Sequence, residues 1–162
     1  MAIVKWMAVV LSVSALLLLL AGRFGLLHGS PPTDLGVHDG RLKPPSTRPN
    51  SVSSQAALYP EHPQRAQAQI EPLGVAGDAA ATLARLKSVV QTMEGARIVK
   101  TEPDYLYAQF TTKLMQFVDD CEFWFDPSTQ TIQLRCASRI GYSDRGVNRA
   151  RVETIRQRLS AR

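Results

Sequence analysis

The clearest pattern in the chain comes first. From Trp6 to Gly22, 17 consecutive positions carry no charge, with Lys5 before them and Arg23 after. At about 1.5 Å per residue the run makes a helix of roughly 26 Å, which approaches a bilayer core of about 30 Å once Phe24 to Leu27 join it and Arg23 snorkels. Residues 1–27 are therefore expected to form a membrane helix. A cleaved signal peptide is the rival reading. The small residues expected one and three positions before a cut are poorly matched between Leu19 and Arg23, which favours an uncleaved, single-pass anchor through residues 6–22.

Apolar periodicity then disappears. Seven of the ten prolines fall between Pro31 and Pro63, among Ser, Gly and Asn, so residues 28–69 read as a stiff polar tether that buries too little to order itself. Periodicity returns after Ile70, and the folded domain is expected over 70–162. Ala79, Leu83, Leu86, Val90 and Met93 recur at spacings of four and three, which predicts a helix with Asp78 as N-cap and Gly95 as its stop. Four segments with strand composition follow: 96–100, 105–111, 114–125 and 131–140. A second amphipathic helix, 147–159, places Val152, Ile155 and Leu159 on one side.

Helix, four strands, helix is the pattern of an α+β domain: a four-stranded antiparallel sheet with helices packed on one face, leaving the other face for solvent. Alternation also sets a register. Closing the long hairpin symmetrically on Pro127–Gln130 pairs residues whose numbers sum to about 257. Phe123 then shares a face with Leu134, while Glu122 lies opposite Arg135 on the other side and Asp120 lies diagonally between Arg135 and Arg139. On an exposed face such a ladder contributes about 0.2 to 1 kcal/mol per pair. Trp124 stands beside it as an apolar platform. The same register puts Asp119 on the buried face opposite Ser138, where a carboxylate needs partners. It also sets Cys121 opposite Cys136, at a spacing that admits either a disulfide or two small buried thiols.

The residues Phe117–Phe125 (FVDDCEFWF), Arg135–Asn148 (RCASRIGYSDRGVN) and Arg149–Ile155 resemble the signature of the domain of unknown function 1499 family of bacteria and plant plastids. Pro49–Ser54 (PNSVSS), Ile70–Leu73 and Asp104–Phe110 fit its other motifs, so the similarity runs from about residue 48 to 162. The resemblance implies no particular activity. It does imply a signal or membrane segment ahead of the domain, as the amino terminus here suggests. The family pattern has a cysteine where this chain has Ser51. Conversely, Cys121 and Cys136 replace an aliphatic residue and a serine, and both departures fall on facing positions.

With 44% hydrophobic and 20% charged residues, the 162-residue chain suits one domain with appendages. Its histidines, His28, His38 and His62, all precede the expected domain. A Ser-His-Asp triad, a Cys-His pair or a histidine zinc site would each require the tether to fold back. No phosphate-cradling glycine loop of the usual kinds is present. Neither a cofactor nor a metal is expected.

What remains for function is a polar cluster: Asp119, Asp120, Arg135, Ser138, Arg139, Tyr142, Ser143, Asp144, Asn148 and Arg149. Its structural reading makes Ser143 or Asp144 a helix cap and uses the arginines to satisfy the aspartates. Its functional reading is an anion-binding turn at the start of the last helix. Residues 135–162 carry eight arginines against Asp144 and Glu153, which points to an anionic ligand, lipid or acidic protein partner rather than nucleic acid. Charge alone leaves orientation open. A short basic start before an apolar run resembles an export signal, so the preferred reading is a binding or accessory module outside the cytoplasm, in the cell envelope. The alternative is a hydrolase-like enzyme with Asp119 or Asp120 as general base, for which no nucleophile is marked.

Overall fold

The structure is a computed structural model that describes residues 1–161. In chain order the elements are α1 (Ala2–Arg23), β1 (Ser51–Ser53), a 3-10 turn (Ala56–Leu58), α2 (Arg65–Ala68), β2 (Leu73–Gly74), α3 (Ala79–Gln91), β3 (Ala96–Thr101), β4 (Tyr105–Thr111), β5 (Val118–Asp126), β6 (Thr131–Ser138) and α4 (Val147–Ser160). The fold is α+β with an antiparallel sheet, as the element order requires. The sheet has six strands rather than four. Strands β3 to β6 form the expected meander, and the two additions both lie on β6: β1 pairs Val52 with Cys136, and β2 pairs Leu73 with Ile132. Both are too short to show alternation, so neither is expected as a strand.

The long hairpin has the register that alternation predicts, with Glu122 opposite Arg135 and Phe123 opposite Leu134. Strand β5 begins at Val118 because residues 112–117 form a turn in which Gln116 takes φ 56°. Met115 and Phe117, expected on the strand, belong to that turn. Asp78 caps α3 by accepting the Ala81 N–H at 2.8 Å, and the helix ends at Gln91, four residues before Gly95.

One face of the sheet buries the main core. Phe110, Phe123, Leu134 and Ile132 meet Leu83, Leu86 and Val90 of α3 and Val152 and Ile155 of α4. Cys121 and Cys136, both fully buried, are joined by a disulfide in this layer, with Cα atoms 4.1 Å apart.

Over β5 and β6 the other face does not meet solvent. Chain from about residue 34 to 47, within the stretch read as a tether, lies over it. Leu42 is buried against Tyr105 and Trp124 in a second small core. The Leu42 backbone is fixed at both ends: its N–H donates to Gln55 Oε1 at 2.8 Å, and its carbonyl accepts from Tyr59 Oη at 2.7 Å. A proline-rich segment lacks the periodicity of a helix or strand, yet one leucine, a few backbone bonds and the aromatic surface beneath suffice to seat it.

Candidate functional site

Coverage changes the chemistry of the ladder. Glu122 is 0% exposed and Arg135 5%, so the pair is buried rather than a solvated surface bridge. Glu122 Oε1 accepts the Gly36 N–H from the covering segment at 2.7 Å and the Tyr105 hydroxyl at 2.8 Å. Its Oε2 has no hydrogen-bond partner among the described residues. Burial pushes the Glu122 carboxyl above its ordinary range, opposed by the Gly36 N–H, Tyr105 and Arg135.

Arg135 donates from Nε to the Pro44 carbonyl at 2.9 Å, and its Nη1 stands 4.0 Å from Glu122 Oε2. That distance is an ion pair without a hydrogen bond. Burial pushes the guanidinium down from the usual arginine range while Glu122 and Asp120 pull it back up, and arginine stays a cation throughout.

The neighbouring pair is closed. Asp120 accepts Arg139 Nε at 2.8 Å and Nη2 at 2.9 Å, and also takes the Tyr107 hydroxyl. This hydrogen bonding to Asp120 pushes Arg139 further up. For Tyr107, burial comes first and the bond to Asp120 second, and both raise its phenol.

Arg135 and Arg139 border a cavity of about 440 Å³ between the sheet and the covering segment, to which Lys43, Ser46, Thr47 and Ser138 also contribute. Asp120 lines it as well, with its carboxylate already engaged. Lys43 is paired with Asp34 at 2.6 Å. Three cations thus face Asp34, Asp120 and Glu122. Arg135 is the cation of this set whose terminal nitrogens make no hydrogen bond among the described residues. A cavity lined by an under-partnered buried guanidinium and four hydroxyl side chains, Ser30 with Ser46, Thr47 and Ser138, suits a small oxyanion.

The remaining expected residues are drawn elsewhere. Asp119 lies on the core face opposite Ser138, as alternation requires, and is satisfied by Arg151 Nη2 at 2.7 Å. Arg151 reaches it from α4 while stacking over Phe110. Asn148, fully buried, accepts from Arg151 and donates to the Asn50 carbonyl, tying α4 to the chain ahead of β1. Arg149 donates to the carbonyls of Gln67 and Gln69, both at 2.8 Å.

The turn before α4 caps itself. Asp144 accepts the N–H groups of Gly146 and Asn148, and Ser143 accepts that of Arg145. Tyr142 projects into solvent. Sequence reasoning grouped ten residues in one polar cluster, of which Asp120, Arg135, Ser138 and Arg139 line the cavity. The hydroxyls of Ser46 and Thr47 and the cation of Lys43 were missed. Their nearest local signal is Leu42, the isolated aliphatic that precedes Lys43 within a polar stretch. No cluster of His, Cys, Asp and Glu with metal-binding geometry occurs among the described residues.

The α+β sheet with its covering segment and the motifs on β5 and β6 define a small domain behind an apolar helix. The family described as Protein of unknown function (DUF1499) matches residues 41–159, and the chain belongs to that family. The match begins seven residues earlier than the motifs suggested and takes in Leu42 and the cavity lining from Lys43 onward. Neither the curated proteins nor the solved structures searched give a match.

Proposed function

We propose that the protein is a membrane-tethered binding module of the cell envelope that holds a small oxyanion, a carboxylate or phosphate, in the cavity between β6 and the covering segment. The observation that carries the reading is Arg135: a buried guanidinium, bonded through Nε alone, beside a cavity lined by hydroxyl groups. Arg139 holds a fixed geometry through Asp120 and presents its remaining N–H surface to the same space. The tethering rests on α1, one helix long and apolar enough to cross a membrane near the amino terminus, a property that signal sequences share.

The hydrolase alternative gains no support from the geometry. Asp119 and Asp120 are each bound by arginine, and on Asp120 both oxygens are engaged. A general base needs an oxygen that can reach a substrate proton.

Calorimetric titration of the full chain in nanodiscs with inorganic phosphate and with acetate tests the proposal. Binding that weakens about tenfold in Arg135→Met, and several-fold in the more exposed Lys43→Ala, supports it. No heat with either anion, or affinity unchanged in Lys43→Ala and Arg135→Met, overturns it.

A further inference from the structure

The sheet has two ends. Register places residues 112–117 and 139–142 at one end, and the turns 102–104 and 127–130 at the other. Helix α1 leaves from the first end. Gly22 is buried against the 112–117 turn so closely that a Cβ there would stand 2.7 Å from the Met115 carbonyl oxygen. Seven residues later Gly29, at φ +65°, lies against Arg139 and Ile140, where a Cβ would come within 2.8 Å of both side chains. The exit of the apolar helix is thus fixed to the domain at two points with no free spacer between them.

That end also carries apolar side chains turned outward: Phe24, Leu26 and Leu114 are 76%, 75% and 73% exposed. Leu114 adjoins Met115, the residue that touches Gly22. Arg23 and Lys113 flank these three positions, and Glu94 is the acidic residue beside Lys113. Exposed apolar residues scattered singly mean little. Three at the mouth of a hydrophobic span, with two cations beside them, are the composition of a membrane–water interface.

We infer that the end of the sheet formed by Phe24, Leu26 and the 112–117 turn docks on the lipid bilayer itself, with Leu114 entering the interfacial region beside α1. The inference rests on the reading of α1 as an uncleaved anchor. It goes beyond tethering, since the domain is seated on the surface in one orientation. Arg23 and Lys113 meet lipid phosphates while Leu114 and Phe24 reach the acyl boundary, about 5 to 10 Å in. The cavity, whose lining includes Ser30 and Pro32 just past Gly29, is then held near the membrane plane.

The test is spin-label depth measurement on the full chain in nanodiscs of mixed zwitterionic and anionic lipid. The label is attached at Leu114→Cys and, as a second reporter, Lys113→Cys, with Glu102→Cys at the opposite end as the aqueous reference. Cys121 and Cys136 are bonded to each other and buried, so the label goes to the new thiol. The expected result is oxygen accessibility well above, and polar nickel-complex accessibility several-fold below, the values at Glu102→Cys. An intact amino terminus with both reporters matching Glu102→Cys would overturn docking and leave the anchor standing. Loss of residues 1–23 from the mature chain, read by mass, would overturn the anchor and docking together.

Discussion

Glu122 and Arg135 face each other across β5 and β6, both buried, with Oε2 and Nη1 4.0 Å apart and no hydrogen bond between them. A tightly closed pair would engage the terminal nitrogens of the arginine and leave fewer of its five N–H groups for a ligand. The open one leaves each group with a terminal atom unclaimed, and in the low dielectric under the covering segment that is a costly arrangement unless a third group completes it.

Under the proposed function Glu122 acts on both pH dependence and anion affinity. Its folded-state pKa is raised, so the folded protein binds the proton more tightly than the unfolded chain does. Stability linked to this group is highest below the ordinary carboxylate range and declines as pH rises through that range toward the elevated value. Unfolding of Glu122→Gln should lose that decline. With the competing charge removed, the variant should also bind phosphate more tightly, by up to about tenfold, or about 1.4 kcal/mol. An unchanged pH slope in the variant would remove Glu122 from this role.

Asp119 and Arg151 make the opposite kind of pair, closed and structural. Side-chain exposures of 5% and 9% leave little solvent to replace a lost partner. Asp119→Asn should cost about 3 kcal/mol in denaturant unfolding without a specific effect on phosphate binding to the folded protein. A folded variant whose stability is unchanged and whose phosphate binding is abolished would instead make Asp119 part of the site.

The disulfide closes a loop of sequence separation 15. A loop of that size corresponds to about 3 kcal/mol of stabilisation, and Cys121→Ser with Cys136→Ser should lower stability by that order. Alkylation before and after reduction, read by mass, checks the bond directly. Since both sulfurs sit in the core, reduction should require opening of the domain. Rapid alkylation of both residues in native, unreduced protein would contradict the bridge.

Leu42 is the plug of the cover. Leu42→Ala should cost about 2 to 4 kcal/mol and should speed amide exchange at Gly36, whose N–H is held by Glu122. Exchange at Phe123 and Leu134 should change less, because their layer is closed by α3 and α4. Equal acceleration at all three amides would mean that the cover has no independent opening.

How much of this the sequence reveals follows from the range of each interaction. The β5–β6 register is legible because alternation and a short turn are local facts, and from it come the Glu122–Arg135 opposition, the Asp120–Arg139 contact and the meeting of the cysteines. The cover is not legible. Gly36 to Glu122 and Pro44 to Arg135 are contacts across 86 and 91 residues, and neither Gly36 nor Pro44 carries a side chain that announces a partner. The same gap hid part of the cavity lining. Without Lys43, Ser46 and Thr47 over the sheet, the polar residues before α4 were the nearest company for Arg139, whereas Asp144 caps its own helix and Arg149 binds carbonyls of the chain before β2.

Under the proposed function Arg135 retains terminal N–H groups for an anion. Guanidinium-detected NMR of the full chain, with Arg135 assigned through Arg135→Lys, measures this during titration with inorganic phosphate. Saturable shifts are expected in the Arg135 Nε and Nη resonances, with those of Arg151 unmoved. Arg135 signals that stay fixed to saturating phosphate, or that move only together with every exposed arginine, would contradict it.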